Sequence, residues 1–158
     1  MIPYNKQSID KKDIKSVSRS LTEKLITTGP FNHKFENLIK KKFKCKFASI
    51  VSSGTAALHL SFLSINIKKN DIVIMPSINF ISSFNLCKSI GARIYLADVD
   101  KITGQMTPET LIECIKINKI RKIKAVITMY LGGAGNNLQN FYNLKKKYKF
   151  YLIEDACH

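Results

Sequence analysis

Three segments carry side chains whose types and spacing could do chemistry together. Ser52-Ser53-Gly54-Thr55-Ala56 is small-residue backbone leading into a helical pattern, where free N–H groups and hydroxyls can hold a phosphate; the same residues also make an ordinary tight turn and helix N-cap. The segment matches neither the G-x-x-x-x-G-K-[ST] phosphate loop nor the G-x-G-x-x-G dinucleotide fingerprint. Asp155 follows the apolar run Tyr151-Leu152-Ile153, which sets a carboxylate at the carboxyl end of a buried strand. Such a charge needs a partner: a cap or salt bridge, or a cationic ligand atom such as a protonated pyridine nitrogen. His158 reads as a core, surface or ligand-contacting residue, and Phe80, closing Pro76-Ser77-Ile78-Asn79-Phe80, as core or as a platform for a flat ring. A further glycine-rich stretch, Leu131-Gly132-Gly133-Ala134-Gly135, offers no acid, base or nucleophile.

Other chemistries have less to draw on. Cys45, Cys87, Cys114 and Cys157 are far apart, with no C-x-x-C pair and no histidine at metal-ligand spacing, which fits reduced thiols better than disulfides or zinc. The 158 residues include 26 Lys or Arg against 11 Asp or Glu, a formal charge of +15, but arginine occurs only at 19, 93 and 121. Specific base readout leans on the bidentate guanidinium, whereas scattered lysine supplies only salt-sensitive phosphate attraction. Lys40-Lys41-Lys42 and Lys145-Lys146-Lys147 each follow an apolar helical pattern and read as solvated helix ends.

The elements that must position these residues alternate. After an amphipathic helix marked by Ile14, Val17 and Leu21 and capped by Asp10, a Thr27-Thr28-Gly29-Pro30 turn leads to a second helix through Phe31, Phe35, Leu38 and Ile39. From Phe47 onward, strands are expected at Phe47–Val51, Ile72–Met75, Arg93–Ala97, Ala125–Tyr130 and Phe150–Ile153. Helices are expected at Ala56–Leu63, Ser82–Ser89, Pro108–Ile117 and Leu138–Tyr148. This is an α/β pattern with a mostly parallel sheet covered on both faces, and ligands of such sheets sit outside the carboxyl ends of the strands. Hydrophobic residues at 45% suit one globular domain. No run reaches the roughly 18 apolar residues of a membrane span, and the opening residues lack a signal-peptide pattern, so no membrane is expected and the chain is read as cytoplasmic.

In order along the chain, Ile2-Pro3-Tyr4, Ile26 to Pro30 with Phe35-Glu36, Ser52 to Leu60, Pro76 to Phe80, Gly91-Ala92, Thr103-Gly104, Leu131-Gly132-Gly133 and Ile153 to His158 resemble the sugar-aminotransferase family that includes DegT, DnrJ, EryC1 and StrS. The resemblance implies the N-terminal part of a fold-type I large domain and the cofactor pyridoxal 5'-phosphate. It implies that Gly54 and Thr55 contact the phosphate, Phe80 stacks on the ring, Asp155 pairs with the ring nitrogen and His158 lies near the ring hydroxyl. Tyr4, Lys24, Leu25, Ile26 and Thr27 match positions that touch the nucleotide sugar. The implied partners are a nucleotide-linked keto sugar, glutamate as amino donor and, in the complete enzyme, a second copy in a homodimer. The opening Ile2-Pro3-Tyr4, Ser8-Ile9-Asp10 and Ala156-Cys157-His158 look most similar to the branch that makes UDP-4-amino-4,6-dideoxy-N-acetyl-altrosamine for pseudaminic acid.

The chain also departs from that pattern. Tyr130 stands where a histidine is common, and Asn137-Leu138 replaces an Asp-Met pair, which leaves the sugar open. Family members are roughly twice this length or more, and the Schiff-base lysine, in a Ser-x-His-Lys-like context, matches none of the 23 lysines. Residues 1–30 are therefore expected to be an N-terminal arm and 31–158 an incomplete cofactor-binding domain, from a truncated gene, a gene fragment or half of a split pair. A sugar dehydratase of the same family, a non-catalytic paralogue or partner subunit, and a basic nucleic-acid-binding module are the alternatives. If the charge is incidental, fluorescence anisotropy should detect only weak, sequence-independent nucleic-acid binding that vanishes by moderate salt. Submicromolar, sequence-selective binding at physiological salt would favour the nucleic-acid module instead.

Overall fold

A computed structural model describes residues 6–135 and 137–157, so Tyr4 and His158 lie outside the described residues. The chain divides into two compact units, Met1–Ile50 and Val51–His158.

The first unit holds helices α1 (Lys11–Ser20) and α2 (Pro30–Phe43). Asp10 caps α1 by accepting from the Lys12 and Asp13 amides, and Asp13 returns the contact to the Asp10 amide at 2.9 Å, so two otherwise orphaned donors are satisfied. Pro30 starts α2 with a ready-set φ, and Lys44 ends it in the left-handed region at φ 51°. Gly29, at the α2 N-cap, has no room for a Cβ because the Leu25 carbonyl packs against it.

The strand expected at Phe47–Val51 does not form. A strand needs a ladder partner, and here the Ile50 amide donates to the Glu36 carboxylate at 3.2 Å while Phe47 is exposed.

The second unit runs α3 (Gly54–Ser64), β1 (Ile72–Pro76), α4 (Ile81–Ile90), β2 (Arg93–Ala97), α5 (Pro108–Ile117), β3 (Ala125–Met129), a 3₁₀ turn (Leu131–Gly133), α6 (Leu138–Tyr148) and β4 (Tyr151–Asp155). Strands β2, β1, β3 and β4 lie side by side in that order, all parallel. Period-two alternation splits the core between the two faces of the sheet. Ile74 and Val126 pack with Leu111 and Cys114 of α5 and Phe141 and Leu144 of α6. Val73, Met75, Ala125 and Ile127 pack on the other side with Phe62 of α3 and Cys87 of α4.

Right-handed crossovers account for this distribution. The step from β1 to β2 moves one way across the sheet and places α4 on one face, while the steps to β3 and β4 move the other way and place α5 and α6 opposite. The direction reverses at β1, so the carboxyl ends of β1 and β3 flank the switch point where open α/β sheets bind ligands. Pairing between those strands is described only at Val73 with Ala125 and Ile74 with Val126, whereas β1 and β2 pair over five positions. The two lysine runs occupy the last turns of α2 and α6, where cations complement the helix dipole. No described helix is long and apolar enough to cross a membrane.

Candidate active site

A cavity of about 340 Å³ opens at the switch point. Ser53, Gly54, Thr55 and Leu58 line it from the start of α3, Phe80 and Ser82 from the start of α4, and Met129, Asp155 and Cys157 from the ends of β3 and β4. Gly54, Thr55, Phe80 and Asp155, separated by as much as a hundred residues in sequence, thus come together in one pocket.

Each wall has a local cause. Ser53 accepts from the Ala56 amide at 3.1 Å, which fixes the first turn of α3. The amides of Gly54 and Thr55, first and second in the helix, have no intrahelical carbonyl to reach and leave an anion-binding end at the cavity. A Cβ on Gly54 would stand 2.8 Å from the Cys157 sulfur, so glycine lets the helix end approach this closely without displacing that side chain. Phe80 is the extended N-cap residue of α4, and its side chain is 64% exposed. That exposure excludes the core reading and leaves a free aromatic face beside the pocket.

Asp155 is the last residue of β4 and is buried, with 7% of its surface exposed. Its carbonyl accepts from the Tyr130 amide at 3.1 Å, which ties the end of β4 to the residue following β3. Among the described residues no lysine, arginine or histidine forms a salt bridge with it. A buried carboxylate without a cationic neighbour is a ready counter-charge for a cationic ligand atom. The nearby Asp155 carboxylate, as a hydrogen-bond acceptor and as a negative charge, together with burial pushes the Cys157 thiol pKa up to about 11. Cys157 therefore stays a neutral thiol near pH 7 and acts here as a donor, not a nucleophile.

Neighbouring Glu154 points to the opposite face of the sheet and has a different fate. Its carboxylate accepts from the Tyr142 hydroxyl at 2.7 Å. Burial raises the Tyr130 phenol to about 12, opposed by the Thr128 hydrogen bond and reinforced by Glu154. These phenols stay protonated, and the Tyr142 bond ties α6 to β4.

Lys24, Leu25, Ile26 and Thr27 form the exposed segment between α1 and α2 in the first unit. The sequence reading did not single out Ser82 or Cys157 as site residues; Ser82 could have been found as a hydroxyl two residues after an N-cap aromatic. It also missed Gln105, beside Thr103-Gly104. That buried side chain donates to the carbonyls of Leu131 at 3.2 Å and Ala134 at 2.9 Å and so holds the glycine-rich loop in place. Among the described residues no group of three or more His, Cys, Asp or Glu could hold a metal ion.

The fold and this pocket define an α/β domain with a ligand-binding crevice at the switch point of its parallel sheet. The model of the DegT/DnrJ/EryC1/StrS aminotransferase family matches residues 7–158, and the chain belongs to that family. It is similar to an aminotransferase from Psychrobacter cryohalolentis, 28% identical with a TM-score of 0.84 over 93% of this chain and 37% of that one. It is also similar to NtdA from Bacillus subtilis, solved with bound cofactor PMP, at 26% identity and a TM-score of 0.82, covering 94% of this chain and 34% of that one. A GDP-4-keto-6-deoxymannose-3-dehydratase with a trapped PLP-glutamate geminal diamine is 26% identical, TM-score 0.87, over 98% and 41% respectively. The chain thus spans between a third and about two fifths of the length of these solved relatives.

The thiol–carboxylate contact gives a direct test of the geometry. Asp155→Asn removes the charge that favours the protonated thiol, so the Cys157 pKa falls and the thiolate fraction at pH 8 rises. Iodoacetamide alkylation of Cys157, mapped by mass spectrometry with exposed Cys45 as reference, should accelerate by about tenfold. An unchanged or slower rate would contradict the contact.

Proposed function

We propose that this chain is part of a pyridoxal-phosphate-dependent aminotransferase of nucleotide-linked keto sugars, with the pocket at the switch point as its cofactor cradle. The observation that carries the reading is the pairing, in one cavity, of an open helix N-terminus with a buried carboxylate lacking a cationic neighbour, with an exposed aromatic residue on the same cavity wall. A phosphorylated, protonated pyridine has the complementary features: a dianion at one end, a cation at the other and a flat ring between. One further feature suits it: a buried Ser82 hydroxyl without a partner among the described residues.

When bound, pyridoxal phosphate supplies an electron sink for a substrate carbon that loses its proton. In this reading the Gly54 and Thr55 amides and the α3 dipole bind the phosphate, and Phe80 packs on the ring and excludes water from one face. Asp155 holds a proton on the ring nitrogen, because an adjacent negative charge raises the pKa of that nitrogen. His158 is assigned to the ring hydroxyl, and Tyr4 with Lys24 to Thr27 to the nucleotide sugar.

The finer reading follows the family resemblance: glutamate as donor, a 4-keto-6-deoxy sugar of the pseudaminic-acid type as acceptor, action in the cytoplasm, and a homodimer in the complete enzyme. Residues 1–30 form the arm, and 31–158 are part of the large domain. The likeness to a 3-dehydratase favours one second reading, a dehydratase of the same family acting on a similar keto sugar.

Among the described residues no lysine lines the pocket, so these 158 residues are expected to hold the cofactor reversibly and not to transaminate. Borohydride reduction in the presence of pyridoxal phosphate, followed by peptide mapping, should leave no stoichiometric adduct at a single lysine. One such adduct would contradict the assignment of a non-covalent cradle.

A further inference from the structure

The start of α4 carries two adjacent serines with opposite circumstances. Ser83 is fully buried and satisfied: its hydroxyl oxygen accepts from the Asn79 side-chain Nδ2 at 2.6 Å, and the hydroxyl lies 3.3 Å from the Phe80 carbonyl. Ser82 is 6% exposed and lines the cavity, yet its Oγ has no hydrogen-bond partner among the described residues. A hydroxyl removed from water without a partner costs free energy that alanine at the same position would avoid. Its sequence position adds to the contrast, because it follows the exposed Phe80 platform by two residues and shares the cavity with Asp155.

We propose that Ser82 is a further cofactor-binding residue, whose hydroxyl hydrogen-bonds a polar substituent of the pyridine ring and not the phosphate. This rests on the reading of the pocket as a pyridoxal-phosphate cradle. The phosphate has the α3 amides and the ring nitrogen has Asp155; the ring hydroxyl, assigned to His158, has room for a second hydrogen bond, and Ser82 carries the unpartnered buried hydroxyl among the described residues that line the cavity. The hydroxyl is thus a group whose cost in the free protein is recovered when the ring arrives.

The test uses the 158-residue chain and pyridoxamine phosphate, which has no aldehyde and cannot react with the chain's many lysines. Ser82→Ala should weaken pyridoxamine phosphate by about fivefold, the scale of one neutral hydrogen bond, and weaken unphosphorylated pyridoxamine by the same factor. Affinity for inorganic phosphate should not change, and the ligand-free melting temperature should stay equal or rise. Ser82→Cys, similar in size but a weak donor, should shift affinity in the same direction. If the unsubstituted chain binds pyridoxamine phosphate and Ser82→Ala binds it equally well, the role of Ser82 is overturned. A loss shared with inorganic phosphate would move Ser82 to the phosphate and overturn the ring contact. Failure of the unsubstituted chain to bind pyridoxamine phosphate would overturn the cradle reading itself, and this inference with it.

Discussion

The structure of the second unit depends on one topological constraint: the chain must reverse its direction across a parallel sheet at β1. With β2 on one side of β1 and β3 on the other, right-handed crossovers send α4 to one face and α5 and α6 to the other. The loops that leave the carboxyl ends of β1 and β3 then diverge, and a crevice opens between them. The short β1–β3 ladder and the cavity lined by Phe80, Ser82 and Met129 are its local expression. The buried apolar side chains of β1 and β3, sealed on both faces, form a stiff platform beneath it.

On that platform the period-two geometry of a strand separates two adjacent carboxylates into different tasks. Glu154 turns toward α6, where the Tyr142 hydroxyl satisfies it, and Asp155 turns toward the cavity, where its described partner is a neutral thiol. A single register slip in β4 would exchange them. The carbonyl of Asp155 accepting from the Tyr130 amide is one of the contacts that prevents it, and pairing along β3 and β4 from Ala125–Tyr151 to Met129–Asp155 supplies the rest.

Much of this was legible in the residues, because it rests on local periodicity. Arg93–Ala97, Pro108–Ile117 and Leu138–Tyr148 have the same limits in structure as in pattern, and the other three strands of the sheet differ by one or two residues. Asp10, as the N-cap of α1, was equally plain. The misreading at Phe47–Val51 has a physical reason: an apolar run predicts a strand only where a ladder partner exists, and partners are not visible in local sequence. Phe80 by itself gave no means of choosing between core and platform, since burial is a tertiary property. The separate fates of Ser82 and Ser83, and the clamp of Gln105 on the glycine-rich loop, depend on hydrogen bonds or their absence that no spacing rule anticipates.

The central claim is that a phosphorylated, protonated pyridine is held at the switch point by an open helix end and a buried carboxylate, and not by the general positive charge of the surface. The most direct measurement is a residue-resolved amide NMR titration of the ¹⁵N-labelled chain with pyridoxamine phosphate. The account predicts saturable shifts at Gly54, Thr55, Ser82 and Asp155, with the lysine-rich ends of α2 and α6 nearly still. Shifts confined to Lys40–Lys42 and Lys145–Lys147, with the cavity amides unmoved, would contradict it.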